Sequence, residues 1–80
     1  PNPVTETATV ALWAQNSVAG AVLQLYDALG RHVTTLWNDG YLAAGTTALT
    51  INVAELPNGV YTLVLRTPTD VVTKRFVVAR

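Results

Sequence analysis

The chain has 80 residues, half of them apolar but only 8% aromatic, so it has room for one core built mainly of Val, Leu and Ala. Five Lys and Arg balance five Asp and Glu, which leaves no overall field to attract nucleic acid or an anionic membrane. No cysteine is present to build a disulfide framework or a thiolate metal site, no apolar run approaches the ~20 residues that span a bilayer as a helix, and Pro1-Asn2-Pro3 lacks the layout of a signal peptide, so an export signal is expected upstream if the parent protein is exported.

Two prolines flanking Asn2 favour extended backbone and remove two amide donors, as at the end of a linker. From Val4 to Trp13, Ala8, Val10 and Leu12 alternate with Thr7, Thr9 and Ala11, the period of two of a half-buried strand with its threonines toward water. Gln15, Asn16, Ser17 and Gly20 interrupt the pattern. A second strand follows, with Ala21, Leu23 and Leu25 on one face and Val22, Gln24 and Tyr26 on the other. Asp27-Ala28-Leu29-Gly30 then has Asp at the first and Gly at the fourth position of a type I turn, and Arg31 to Trp37 returns as a third strand.

Asn38-Asp39-Gly40 tolerates positive φ, and with Gly45 it is expected to bracket a loop around Tyr41 to Ala44. Thr46 to Val53 resumes alternation, with Leu49, Ile51 and Val53 on one face. Leu56-Pro57-Asn58-Gly59 predicts a tight corner into a strand over Val60 to Arg66, in which Tyr61, Leu63 and Leu65 point inward. Pro68-Thr69-Asp70 turns the chain into a last strand, Val71 to Ala79, apolar on both faces. Six or seven short strands at about ten-residue spacing, without a helical period, predict one all-β domain over 1–80: an antiparallel, immunoglobulin-like sandwich, with a small closed barrel as the alternative.

Candidate chemistry is sparse. His32 and Ser17 are the single residues of their kinds, so a Ser-His-Asp triad would need both, with Asp27, Asp39 or Asp70. A solvated histidine and a loop serine account for them as well. Glu6, Asp27, Asp39, Glu55 and Asp70 never fall within three residues of one another, so no local carboxylate cluster suggests a metal or a glycosidase pair, and no cofactor is expected. Trp13, Trp37 and Tyr41 could stack on sugar rings, but they are spread over different elements, where aromatics more often serve as core lids. Lys74, Arg75 and Arg80 place three of the five basic residues in the last seven positions. They either discourage edge-to-edge aggregation or form a docking strip with Val71, Val77 and Ala79.

In their order, these signals resemble the type A C-terminal sorting domain of type IX secretion. Pro1 and Pro3 with Val10 are similar to its opening motif. Leu25-Tyr26-Asp27-Ala28-Leu29-Gly30-Arg31 with Val33 resembles its central strand and turn, Leu56-Pro57-Asn58-Gly59-Val60-Tyr61 its Gly-x-Tyr motif, and Lys74 with Phe76, Val77 and Val78 its closing strand. Ig-like modules resembling that of the flagellar hook-capping protein share the Tyr-Asp-x-x-Gly-Arg turn and the Gly-Val-Tyr strand. Those usually carry a Trp-Asp-Gly segment where this chain has Ile51-Asn52-Val53.

The resemblance implies a non-catalytic signal, found in Bacteroidota-type bacteria and borne at the C-terminus of a covalently attached cargo. It would be carried through the periplasm, read by the outer-membrane translocon and removed by a surface sortase, leaving cargo on the cell surface or in the medium. The isolated domain is then expected to be a monomer that binds no nucleic acid. Tyr61 and Phe76 would hold its shape, and Lys74, Arg75 and Arg80, with Val71 and Val77, would contact the receptor. The alternative is a structural or carbohydrate-binding Ig-like accessory module of an extracellular protein.

Overall fold

A computed structural model describes residues 7–79. Pro1, Pro3, Val4 to Glu6 and Arg80 lie outside the described residues. Six strands make up the fold: β1 (Thr7–Ala14), β2 (Val18–Tyr26), β3 (His32–Leu42), β4 (Gly45–Asn52), β5 (Gly59–Arg66) and β6 (Val71–Val78). All pairings are antiparallel, in a two-stranded sheet β1-β4 and a four-stranded sheet β3-β2-β5-β6. The immunoglobulin-like sandwich expected from the spacing of the strands is therefore present, with six strands among the described residues.

Alternation sets the core. The inner faces of β1 and β4 bury Val10, Leu12 and Ile51, with Val53 just beyond, against Ala21, Leu23, Leu25, Leu42, Tyr61, Leu63, Leu65 and Val78. Thr7, Thr9 and Ala11 are exposed, as their alternate positions require. Leu23, Leu25 and Leu63 are the most completely enclosed large side chains, which puts the centre of the core under the β2-β5 pair. Fully burying one such side chain contributes about 1.5 to 3 kcal/mol, so these inner rows dominate the stability of so small a body.

Two sequence readings are corrected. Asn38-Asp39-Gly40 is no loop, because β3 runs through it to Leu42. The irregularity those residues announce is absorbed inside the strand: the β2-β3 register shifts four times, and Asp39 sits at φ 65°. Gly40 is needed there because the Trp37 ring lies over it, and a Cβ at that position would come within 3.2 Å of the Trp37 Cβ. The turn that carries the chain to the other sheet is only Ala43-Ala44.

The last strand is also less buried than its sequence suggests. Of its residues only Val78 is buried and Phe76 half-buried, while Val71, Val72 and Val77 stand 58%, 46% and 66% exposed. Val71 and Val77 lie on the outer face, which the second sheet does not cover, and Val72 on the inner face lies beyond the reach of the two-stranded sheet, because β6 is an outermost strand among the described residues.

Candidate recognition surface

At one end of the sandwich the turn after β2 is held by a single side chain. Asp27 Oδ1 accepts hydrogen bonds from the backbone N–H groups of Leu29 and Arg31, both at 2.9 Å, and Oδ2 accepts one from Arg31 Nε at 2.9 Å. The Gly30 N–H donates to the Asp27 carbonyl at 3.0 Å, the closure expected of a type I turn, and Gly30 takes φ 82°. The Arg31 N–H first, then the Arg31 guanidinium and the Leu29 N–H, hold the Asp27 carboxyl below its ordinary value, although partial desolvation opposes them.

Across the same end, the Tyr61 hydroxyl donates to the Pro57 carbonyl at 2.6 Å, and the Tyr61 ring stacks on Phe76 with centroids 5.8 Å apart. A buried tyrosine at the start of a strand, bonded to backbone four residues upstream, pins the corner as in immunoglobulin-type sandwiches. Asp27, Arg31, Pro57, Gly59 and Tyr61 together line one shallow cavity of about 290 Å³. Segments thirty residues apart in sequence thus meet at one end of the fold. Val10, by contrast, is a core residue of the opposite sheet.

The outer face of the four-stranded sheet carries a different surface. Tyr26 OH donates to Gln24 Oε1 at 3.2 Å, Arg66 Nε donates to the same oxygen at 3.4 Å, and the Tyr26 and His32 rings meet edge to face at 5.7 Å. Tyr26, Thr62, Val64, Arg66 and Arg75 line an open groove of about 540 Å³, with Val64 buried in its floor. Among the described residues the single ion pair is Arg31 with Asp27, which leaves Arg66, Lys74 and Arg75 without a carboxylate partner there.

The expected docking strip divides in two. Cross-strand partners share a face, and Arg75 is paired with Thr62 and Val77 with Val60, whereas Lys74 is paired with the inward Leu63. Val71, Arg75 and Val77 therefore stand on the outer face, and Lys74 on the core side of the strand beyond the cover of the second sheet. Arg80 lies outside the described residues. Arg66 and Gln24 were not singled out from the sequence, because only the pairing of β2 with β5 brings Gln24 to Arg66, and only the addition of β6 sets Arg66 and Arg75 along one groove.

Among the described residues reactive groups do not assemble. Ser17 precedes β2 and His32 stands opposite its last residue, Tyr26, so the nine residues of the strand separate them by about 30 Å at ~3.3 Å per residue. No three His, Cys, Asp or Glu side chains cluster among the described residues. Trp13 is exposed on the two-stranded sheet, Tyr41 is exposed on β3, and Trp37 is half-buried against the core, so the three do not share one platform.

These features define an all-β, immunoglobulin-like module whose distinctive assets are surfaces. The chain belongs to the family described as the secretion system C-terminal sorting domain, whose profile matches residues 1–79. Members are type IX secretion sorting signals, so attachment to an N-terminal cargo, dealings with the secretion machinery and export to the cell surface or extracellular space follow from membership. No curated protein and no solved structure matches the chain.

Proposed function

We propose that this domain is a folded, non-catalytic signal over 1–80 that is carried through the periplasm on its cargo, read by the outer-membrane translocon and removed by a surface sortase. The observation that carries this reading is the family match over residues 1–79. A signal with no reactive group must work by surface complementarity, in which a few anchors supply most of the binding energy. Lys74 and Arg75 on the two sides of β6, with Val71 and Val77 beside them and Arg80 beyond, are the anchors in this reading. Val10, Tyr26, Asp27, Gly30, Arg31, Pro57, Gly59, Tyr61 and Phe76 maintain the shape that presents them.

The test is a signal peptide and fluorescent reporter joined to Pro1 through the native upstream linker, expressed in a bacterium with type IX secretion. The reporter is expected at the surface or in the medium. The Lys74→Gln, Arg75→Gln, Arg80→Gln triple variant should fold normally and lose export. Retention of the intact fusion in the periplasm would sink the sorting assignment, and normal export of the triple variant would remove the basic residues from the signal.

A further inference from the structure

The free edge of β6 differs from an ordinary protected edge. It follows β5 through eight consecutive pairs, Gly59↔Val78 to Arg66↔Val71, with no register shift and no proline. Among the described residues nothing pairs with its other side. Natural edges are shortened, bulged, covered or charged, because a long regular edge is a template for another strand, and of these devices β6 has only the charges of Lys74 and Arg75.

The hairpin shows which backbone groups that edge offers. The Thr67 N–H donates to the Asp70 carbonyl at 2.8 Å, which makes 67/70 a hydrogen-bonded pair. Such pairs alternate along an antiparallel ladder, so Val72, Lys74, Phe76 and Val78 point their N–H and C=O groups at β5. Val71, Thr73, Arg75 and Val77 point theirs outward. An incoming extended segment would find four donors and four acceptors in register, between the Lys74 side chain on one face and Arg75 on the other.

Charge selects the occupant. Neither cation has a carboxylate partner among the described residues. A second copy pairing antiparallel about the middle of the strand would centre on Lys74 or on Arg75 and set that cation opposite its own copy, and like charges directly opposite are destabilising. An extended segment carrying Asp or Glu at adjacent positions would meet both cations, one on each face. We propose that β6 is completed by strand addition: an extended, acidic segment of the secretion machinery pairs with its free edge, main-chain bonds supplying affinity and the two cations specificity. This rests on the sorting-signal reading.

Thr73→Pro tests it, because it deletes an outward amide while sparing both cations and every bond to β5. Proline is tolerated on an edge where the N–H faces solvent, and it favours the extended backbone that Val72 already has. In the reporter fusion, Thr73→Pro is expected to cut export at least about tenfold, with Thr73→Ala exporting normally. Slow amide exchange at Lys74 and Phe76 would show that the β5-β6 ladder is intact. Lys74→Glu with Arg75→Glu should also block export, and Lys74→Arg with Arg75→Lys should preserve it. Normal export of Thr73→Pro overturns the inference. If that variant does not fold, the charge reversal decides, and its normal export overturns the acidic occupant. A concentration-dependent dimer of the unaltered chain that Thr73→Pro abolishes would assign the edge to a second copy and overturn it too. An unaltered fusion that is not exported removes the sorting reading itself and the inference with it, whereas export of both the unaltered fusion and Thr73→Pro overturns strand addition alone.

Discussion

At one edge of the four-stranded sheet, β3 slips four times against β2 and holds Asp39 at φ 65°, whereas at the other edge β6 follows β5 through eight pairs without a break. Bulges twist a strand and disturb the row of unpaired backbone groups on its free side, so β3 is a poor template for further pairing. On β6 only side chains intervene, and three of them are exposed valines. The difference teaches that the sheet is closed to addition on one side by backbone geometry and left regular on the other, where charge alone restricts what can pair.

The largest effect should come from the strand that supports β6. Leu63→Ala empties a fully enclosed position and should cost about 2 to 5 kcal/mol in urea unfolding. Thr62→Ala, one residue away on the outer face, should cost less than about 0.5 kcal/mol. Equal losses would mean that β5, and with it the facing of Lys74 and Arg75, is reversed.

The two edges can then be compared directly. Phe76→Ala removes the stacking partner of Tyr61 from β6 and should cost about 2 to 3 kcal/mol, less than for a fully buried phenylalanine. On β3, Gly40→Ala brings a methyl against Trp37 and should cost about 1 kcal/mol through displacement of that ring. Thermal melts of both variants measure the contrast. A neutral Gly40→Ala would show that Trp37 yields freely and that the bulged edge is softer than its packing implies.

A smaller effect is expected at the turn between β2 and β3. The Asp27 carboxyl is lowered from its ordinary value of 3.8, so its stabilising contribution is fully present above that pH and fades as pH falls through the lower folded-state value. Asp27→Asn should therefore be less stable than the parent at neutral pH, with the gap narrowing below about pH 4. Melts from pH 2 to 7 would show it, and a gap that does not change with pH would deny the carboxylate its part in closing the turn. The smallest change should follow Lys74→Gln with Arg75→Gln, within about ±0.5 kcal/mol of the parent, because both side chains are exposed. A larger loss in urea unfolding would mean that these cations are part of the packing and would blunt their use as an export test.

Much of this was legible in the residues. Alternation named the inward rows Val10 and Leu12, Leu23 and Leu25, Leu49 and Ile51, and Tyr61, Leu63 and Leu65, because a strand presents every second side chain to one face whatever its neighbours are. The Asp27 turn was equally readable, since its hydrogen bonds all lie within five residues. Asn38-Asp39-Gly40 misled, because residues that permit positive φ serve a loop or a bulge equally well, and only pairing with β2 chooses between them. The last strand misled in another way: its valines read as apolar on both faces, and burial depends on what stands opposite.

The sequence by itself determined the strand content, the inner rows, two of the turns and the family resemblance, all of which rest on local period or short motifs. Only the tertiary structure decided that, among the described residues, the sheets are two and four strands wide and β6 is an edge. It also decided that Lys74 takes the inner face and Arg75 the outer one, with no carboxylate beside either among the described residues. Those facts depend on which strands pair, and pairing is set by contacts between residues far apart in the chain, which no local pattern records.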